Sequence, residues 1–484
     1  MTITWEQVLA FLCEDQTMAI TSLLFLAFFA AVALINYALP RVLRPYFLLA
    51  ASYGFFCYDP VNRPLVWVIA AATVLTWLCG LIIGKVRAKP VRVLALAASV
   101  GFGIGILVYY KYWNLLADTV GGSILSRREN LLAPLGLSYF TFAAMSYTID
   151  VYKRRCRVET NLLHYALFVS FFPTLINGPI ERYPQMRPQI QKSRRFSYGR
   201  CAGGAFRMLW GYTKKMVIAD NLSHYVSLVY GDVGSMSGPN LVAATVLFAV
   251  QLYMDFSGCC DIALGAARIL GYDLIENFQS PFEARTFNDF WRRWHISMTS
   301  WFRDYVYIPL GGSRCRLRRT CLNLLIVFAL TGLWHGAAWQ YVVFGLLHGI
   351  ILCMERLGLR RALEQLPRLF RHLYTVVLLW LTLVIFGAPG LSEGLAVLKG
   401  IFTWQSGAKG YTLAAFADTK LLLILAASFL LCGPVQALCP KLKAALYAKK
   451  APSPAGMAGL LVLLFLGLMR VTAGTYSAFI YFQF

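Results

Sequence analysis

Long apolar stretches broken by short basic loops constrain this chain more than any other feature. Windows of about 19 residues, the length that crosses a bilayer as a helix, are apolar over 18–38, 64–84, 93–110, 239–256, 372–388, 419–438 and 456–473. A water-soluble fold has no place for that much apolar surface, whereas lipid solvates it directly. Composition agrees: 58% of the 484 residues are hydrophobic and 14% charged, against about 45–50% and about 25% in soluble domains. The fold class is therefore all-α and polytopic, and the chain reads as one integral membrane domain over 1–484.

Other segments are apolar without being simple spans. The stretch 46–58 is shorter than the roughly 17 residues needed to cross unaided. Segments 131–150, 161–178 and 201–220 carry Pro, Gly, Asn and ionisable residues, and a single His-Gly step separates 320–334 from 336–354. About ten to twelve helices are expected, several of them short, broken or re-entrant. No internal repeat is visible, which weighs against transporters built from inverted repeats.

The formal charge is +23, from 45 Lys and Arg against 22 Asp and Glu. In a soluble chain this excess would point to nucleic acid. Here the bases cluster between apolar stretches, as in 85–92 and 153–157, which is the distribution of cytoplasmic loops beside anionic lipid. Membrane lipid is the partner this implies, and nucleic acid is excluded. The first stretch holds Glu6, Glu14 and Asp15 with no Lys or Arg, and Arg41 and Arg44 follow the first span; the amino terminus is expected outside. A basic loop at 441–450 precedes the last span, so the carboxyl terminus is expected outside too, which requires an even number of crossings. The 12 cysteines include no Cys-x-x-Cys pair and read as small buried hydrophobes, with no metal site.

Few residues can carry chemistry. Of six histidines, His335 stands out in Leu330-Thr-Gly-Leu-Trp-His-Gly-Ala-Ala-Trp339, between two apolar stretches. An ionisable group at membrane depth is costly to place, and neutral imidazole is both the cheapest to bury and a general base near neutral pH. Gly332 and Gly336 leave room for a substrate to approach, and Thr331 sits one turn earlier; packing between helices is the competing explanation. His295 lies in an arginine- and aromatic-rich run, 282–313, and suits either a donor site or a membrane interface. His348 falls 13 residues after His335, well off its helical face, and reads as structural. Asp255 and Asp261 lie in an apolar setting, where a structural ion pair with arginines of the 292–303 run explains them as well as catalysis would. No Walker A, Gly-x-Ser-x-Gly or His-Glu-x-x-His sequence is present.

The run Phe290-Trp-Arg-Arg-Trp-His-Ile-Ser-Met-Thr-Ser-Trp-Phe-Arg-Asp-Tyr-Val-Tyr-Ile-Pro-Leu-Gly-Gly312, followed by Thr331-Gly-Leu-Trp-His-Gly336, resembles the membrane-bound O-acyltransferase family. Within that family it is most similar to the bacterial branch containing the membrane subunit of alginate O-acetylation and the D-alanyl transferase of teichoic acids. Pro134-Leu-Gly-Leu-Ser-Tyr-Phe-Thr-Phe142, Asn177-Gly-Pro-Ile180 and Met254-Asp-Phe-Ser-Gly258 extend the resemblance, strongest over 131–350.

The resemblance implies a helical funnel with a thinned centre in the bacterial inner membrane. There a cytoplasmic thioester, acetyl-coenzyme A, meets an acceptor from the other face. The family's buried histidine falls on His335 and its second polar position on His295. Arg292, Arg293 and Arg303 are candidates to hold the donor's phosphates. The terminal 478–484 resembles a Phe-x-Tyr-x-x-Phe motif, making Tyr481 a candidate acyl relay to an extracytoplasmic partner resembling SGNH hydrolases, with a polysaccharide as final acceptor; an interfacial aromatic anchor is the alternative. Two rivals stay open: D-alanyl transfer from a carrier protein, and a proton-coupled transporter or flippase.

Overall fold

The computed structural model describes residues 18–432, apart from 122–123, 130, 410, 412 and 414–418, and scattered positions between 454 and 465. Those residues are predominantly helical, and their one extended pairing is an isolated bridge between Met236 and Tyr411. Among the described residues, six helices are long and apolar enough to cross a bilayer: Arg63–Lys85, Lys89–Val120, Gly238–Ile269, Leu317–His335, Trp339–Gln365 and Arg368–Gly387. The apolar window at 18–38 forms a helix of only 16 residues. Windows 419–438 and 456–473 are described only in part, and Tyr481 lies outside the described residues.

The chain divides into two compact units. The first comprises 1–208, 259–275 and 449–454. Its helices include α1 (Leu23–Ala38), α2 (Val66–Lys85), α3 (Lys89–Val120) and α4 (Leu137–Tyr152). Ser22 caps α1 by accepting the Phe25 N–H at 3.1 Å, which satisfies one of the orphan donors of a first turn. The α2 sequence holds no charge before Lys85 in its last turn, where a lysine reaches the membrane surface and meets the carbonyl end of the helix dipole.

Helix α4 is buried on nearly every side from Phe140 to Thr148. Gly80 of α2 leaves space for the Tyr147 ring, and Ser99 of α3 bonds Thr148 at 2.9 Å. Protein, rather than lipid, surrounds α4, and its Ser146 and Thr148 hydroxyls find partners there. This explains the mixed composition that set 131–150 apart from simple spans.

Two further helices, α5 (Tyr198–Tyr212) and α6 (Gly238–Ile269), contribute residues to both units. Within the first unit, a Cβ on Gly204 would lie 2.8 Å from the Gly265 carbonyl oxygen, so glycine permits close approach of the two backbones. Arg207 there meets Asp261 through Nε at 2.7 Å.

The second unit comprises 209–258, 276–448 and 455–484. In it the buried Lys215 ammonium lies 2.7 Å from Asp220 and 2.9 Å from Asp255. The cations that meet the two intramembrane carboxylates are thus Lys215 and Arg207, and the expected pairing with arginines of 292–303 is corrected. Those arginines sit elsewhere because 287–302 folds as two short helices, α7 (Phe287–Arg293) and α8 (Ile296–Phe302). After them come α9 (Leu317–His335), α10 (Trp339–Met354) and α11 (Arg368–Gly387).

Helices α9 and α10 form a tight hairpin. A Cβ on Gly332 would fall on the Tyr341 carbonyl, one on Gly345 on the Phe328 carbonyl, and one on Gly336 on the Tyr341 ring. Gly332 and Gly336 therefore serve helix packing, and the expectation that they open space for substrate is overturned. The neighbouring helix already occupies that space.

Candidate active site

His295, His335 and the arginines singled out from the sequence lie in the second unit. His335 is the last residue of α9, where the helix stops at an extended Gly336. It is 4% exposed, and its imidazole meets the rings of Trp334 at 5.2 Å, Phe386 at 5.3 Å and Phe344 at 6.1 Å. Beside it lies a small void of about 10 Å³, lined by Leu252, Trp291, Trp294 and Leu383 among other apolar side chains.

His295 joins α7 to α8 with φ +45°, a left-handed conformation that costs a non-glycine residue on the order of 1 kcal/mol. Asn277 holds it there. The Asn277 carbonyl oxygen accepts the Ser297 N–H at 3.1 Å and the Ser297 hydroxyl at 3.0 Å, and the His295 Nδ1 lies 3.2 Å away. A backbone N–H can only donate, so the amide oxygen is fixed at this point, and the imidazole contact is an Nδ1–H donated to it. The tautomer follows: Nε2 carries the lone pair. That atom is buried with no hydrogen-bond partner among the described residues. Burial first, and then the nearby His335, hold the His295 pKa well below the ordinary histidine range, so the ring stays neutral and able to accept a proton.

The two histidines converge on one indole. Trp334 lies 5.3 Å from the His295 ring and 5.2 Å from that of His335. His348, in contrast, is fully buried and bonded at both nitrogens, to the Trp291 indole and to Thr382, as a structural residue should be. His164 stacks near Tyr46, and His372 reaches the Ala284 carbonyl.

A cavity of about 490 Å³ opens beside this cluster. Trp291, Val327, Phe328 and Thr331 line it, and Arg292, Arg303, Arg356 and Arg360 also border it. Arg303 pairs with Asp304 and Arg360 with Glu364, each at 2.9 Å, whereas Arg292 and Arg356 meet no carboxylate among the described residues. Of the three arginines singled out from the sequence, Arg292 and Arg303 reach the cavity. Arg293 does not line it; Asp289 at 2.8 Å and Glu283 at 3.7 Å engage it instead. Thr331 lines the cavity and donates its hydroxyl to the Val327 carbonyl at 2.8 Å.

A model of the membrane-bound O-acyltransferase family matches residues 131–403. The chain belongs to that family. It is an acyltransferase and a multi-pass membrane protein. Its relatives include "Probable alginate O-acetylase AlgI" of Azotobacter vinelandii, 30% identical over 96% of this chain and 100% of that protein. "Peptidoglycan O-acetyltransferase" of Helicobacter pylori is 33% identical over 78% of this chain and 76% of its own length. "Teichoic acid D-alanyltransferase" of Bacillus subtilis is 29% identical over 46% of this chain and 59% of its own.

Sequence reasoning missed part of this acyltransferase site. Asn277 lies in a loop with no motif around it and is recognisable only through the three contacts to its oxygen. Arg356 and Arg360 follow an apolar helix and were not singled out; an arginine pair one turn apart on a helix end was the available signal.

Proposed function

We propose that this acyltransferase removes an acetyl group from cytoplasmic acetyl-coenzyme A and passes it across the membrane for O-acetylation of an extracytoplasmic polysaccharide. The observation that carries the reading is the buried His335 beside an apolar void, next to a 490 Å³ cavity bordered by four arginines. Guanidinium groups recognise phosphate with charge-assisted, paired hydrogen bonds, and the cavity volume falls in the range of small-molecule sites, roughly 300–1,000 Å³. The relatives named for O-acetylation of alginate and peptidoglycan support an acetyl donor and a polysaccharide acceptor.

In this reading His335 acts as general base. It takes the proton from an acceptor hydroxyl, whose oxygen attacks the thioester carbonyl; the carbon–sulfur bond breaks, and the thiolate leaves with the proton that the imidazolium returns. His295, neutral and with a free Nε2, orients the attacking hydroxyl. Arg292 and Arg303, joined by Arg356 and Arg360, hold the donor's phosphates. Tyr481 takes the acetyl group and relays it to an extracytoplasmic partner resembling SGNH hydrolases. The shorter apolar helices complete a funnel thinned at its centre, in the bacterial inner membrane with both termini outside.

The test uses purified full-length protein and acetyl-coenzyme A labelled on the acetyl group. Thioester loss that disappears in His335→Ala, with label on the wild type and none on Tyr481→Phe, is the expected result. Thioester loss unaffected by His335→Ala would overturn the catalytic assignment. Absence of turnover in the wild type, with turnover on a D-alanyl carrier protein, would replace the donor.

A further inference from the structure

Trp291 is common to the linings of the large cavity and of the void beside His335. Trp291 thus borders both the space assigned to the donor and the void lined by the imidazole assigned as base. What holds it there is His348. The Trp291 Nε1–H donates to His348 Nδ1 at 3.1 Å, and His348 Nε2 lies 2.8 Å from the Thr382 hydroxyl oxygen. Thr382 gives its one hydroxyl hydrogen to the Leu379 carbonyl at 2.8 Å. Its oxygen therefore accepts, and His348 carries its hydrogen on Nε2. Every donor in the chain Trp291–His348–Thr382–Leu379 has an acceptor, and the chain links α7 to α10 and α11.

Two other contacts strap α7 to α10 and keep the indole in register. The carboxylate of Glu355, just past α10, accepts the N–H groups of Phe287 at 2.6 Å and Asn288 at 3.1 Å, the first-turn donors of α7. The Phe344 ring packs 4.3 Å from His348 and 6.1 Å from His335. His348 is fully buried and spends both ring nitrogens on this framework, so it does not handle the substrate's proton.

We propose that His348 is a positioning residue that holds the Trp291 indole as a partition between the donor cavity and His335, keeping cavity water away from the base. The inference rests on the acetyl-coenzyme A reading above. Without the partition, water replaces the acceptor hydroxyl: its oxygen attacks the thioester carbonyl, His335 takes its proton, the carbon–sulfur bond breaks, and acetate and free thiol are released. The apolar lining of the void excludes water only while it remains closed.

The experiment measures acetate released from acetyl-coenzyme A in detergent, without added acceptor. It compares wild type, His348→Leu, Trp291→Phe, the double variant and His348→Gln, each also with His335→Ala. His348→Leu and Trp291→Phe are each expected to raise His335-dependent hydrolysis by on the order of fivefold, the factor carried by one ordinary hydrogen bond. The double variant is expected to match the larger single effect, because both remove the same bond. Glutamine, which can accept from the indole and donate to Thr382, should restore the wild-type rate. A purely structural role for His348 would instead lower hydrolysis with the folded fraction, read by thermal melting. Hydrolysis that is unchanged or lower in both Trp291→Phe and His348→Leu, while the wild type shows His335-dependent cleavage, overturns the proposal alone. If the wild type and His335→Ala cleave the thioester equally, the acetyl-coenzyme A reading fails and the role of His348 falls with it.

Discussion

His295 and His335 share one indole: the Trp334 ring lies 5.3 Å from the first and 5.2 Å from the second. The relationship sets two buried imidazoles against a common ring although 40 positions separate them in the chain. Burial first, and then the nearby His335, hold the His295 pKa below the ordinary histidine range, so that ring favours the uncharged state.

Replacing His335 should remove catalysis without unfolding the protein. His335→Gln keeps much of the volume and should lower thioester cleavage by about 10²–10⁴-fold, the range for loss of a general base. Melting temperatures within a few degrees of wild type, alongside that loss, are the expected pair of measurements.

Stability should depend on pH through His295. Its folded pKa is depressed, so the unfolded chain binds the proton more readily, and the stabilising contribution present above the unfolded value near 6.5 is lost as pH falls below it. The wild type should melt progressively lower from pH 7 to pH 5. His295→Gln should show a flatter dependence over that window; an equally steep one would place the proton uptake elsewhere.

Asn277→Leu should cost stability and activity together. It deprives the Ser297 N–H and hydroxyl and the His295 Nδ1–H of their acceptor, a loss of about 1–3 kcal/mol for a buried unsatisfied group, and frees the His295 tautomer. Chemical denaturation and turnover at saturating donor would both register it, whereas Asn277→Asp should retain the three acceptor contacts and much of the stability.

The arginines should separate by position. Arg292→Glu and Arg356→Glu are expected to raise KM for acetyl-coenzyme A about tenfold, from loss of a charge-assisted contact of roughly 1.5 kcal/mol, with smaller effects on kcat. Arg293→Gln, which removes the contacts to Asp289 and Glu283, should leave that KM near wild type. Initial rates over a donor series decide it.

Packing at the α9–α10 hairpin should tolerate no added carbon. Gly332→Ala and Gly345→Ala force a methyl onto a backbone carbonyl, an overpacking cost of about 1–3 kcal/mol or more. Gly101→Ala, with nothing within 4 Å of the added atom, should be neutral or slightly stabilising. Yield and thermal melting of the three variants give the comparison.

Hydropathy was enough to establish an all-helical membrane protein, because a span must satisfy its backbone internally and shed its charges, and both demands are written locally. It located α2, α3, α6 and α11 to within a few residues, except where α3 and α6 run on past their apolar windows. The motif around His335 likewise stood out because an ionisable residue between two apolar stretches is rare for energetic reasons. Partnership was another matter. Asp255 and Asp261 were recognisable as buried acids, but Lys215 and Arg207 became their partners only through the close glycine contacts of α5 and α6 within each unit. Gly332 and Gly336 looked like open space because a missing side chain is local, whereas the Tyr341 carbonyl and ring that fill it belong to the next helix. Asn277 and the Trp291–His348 bond carry no sequence signal, and the motif that holds Trp334 does not reveal that its ring meets both histidines, since each acts through a distant contact. The sequence by itself determined which segments enter the membrane and which histidine is anomalous; only the tertiary structure decided which side chains face that histidine, because hydrogen bonds and ring contacts depend on how separate helices meet.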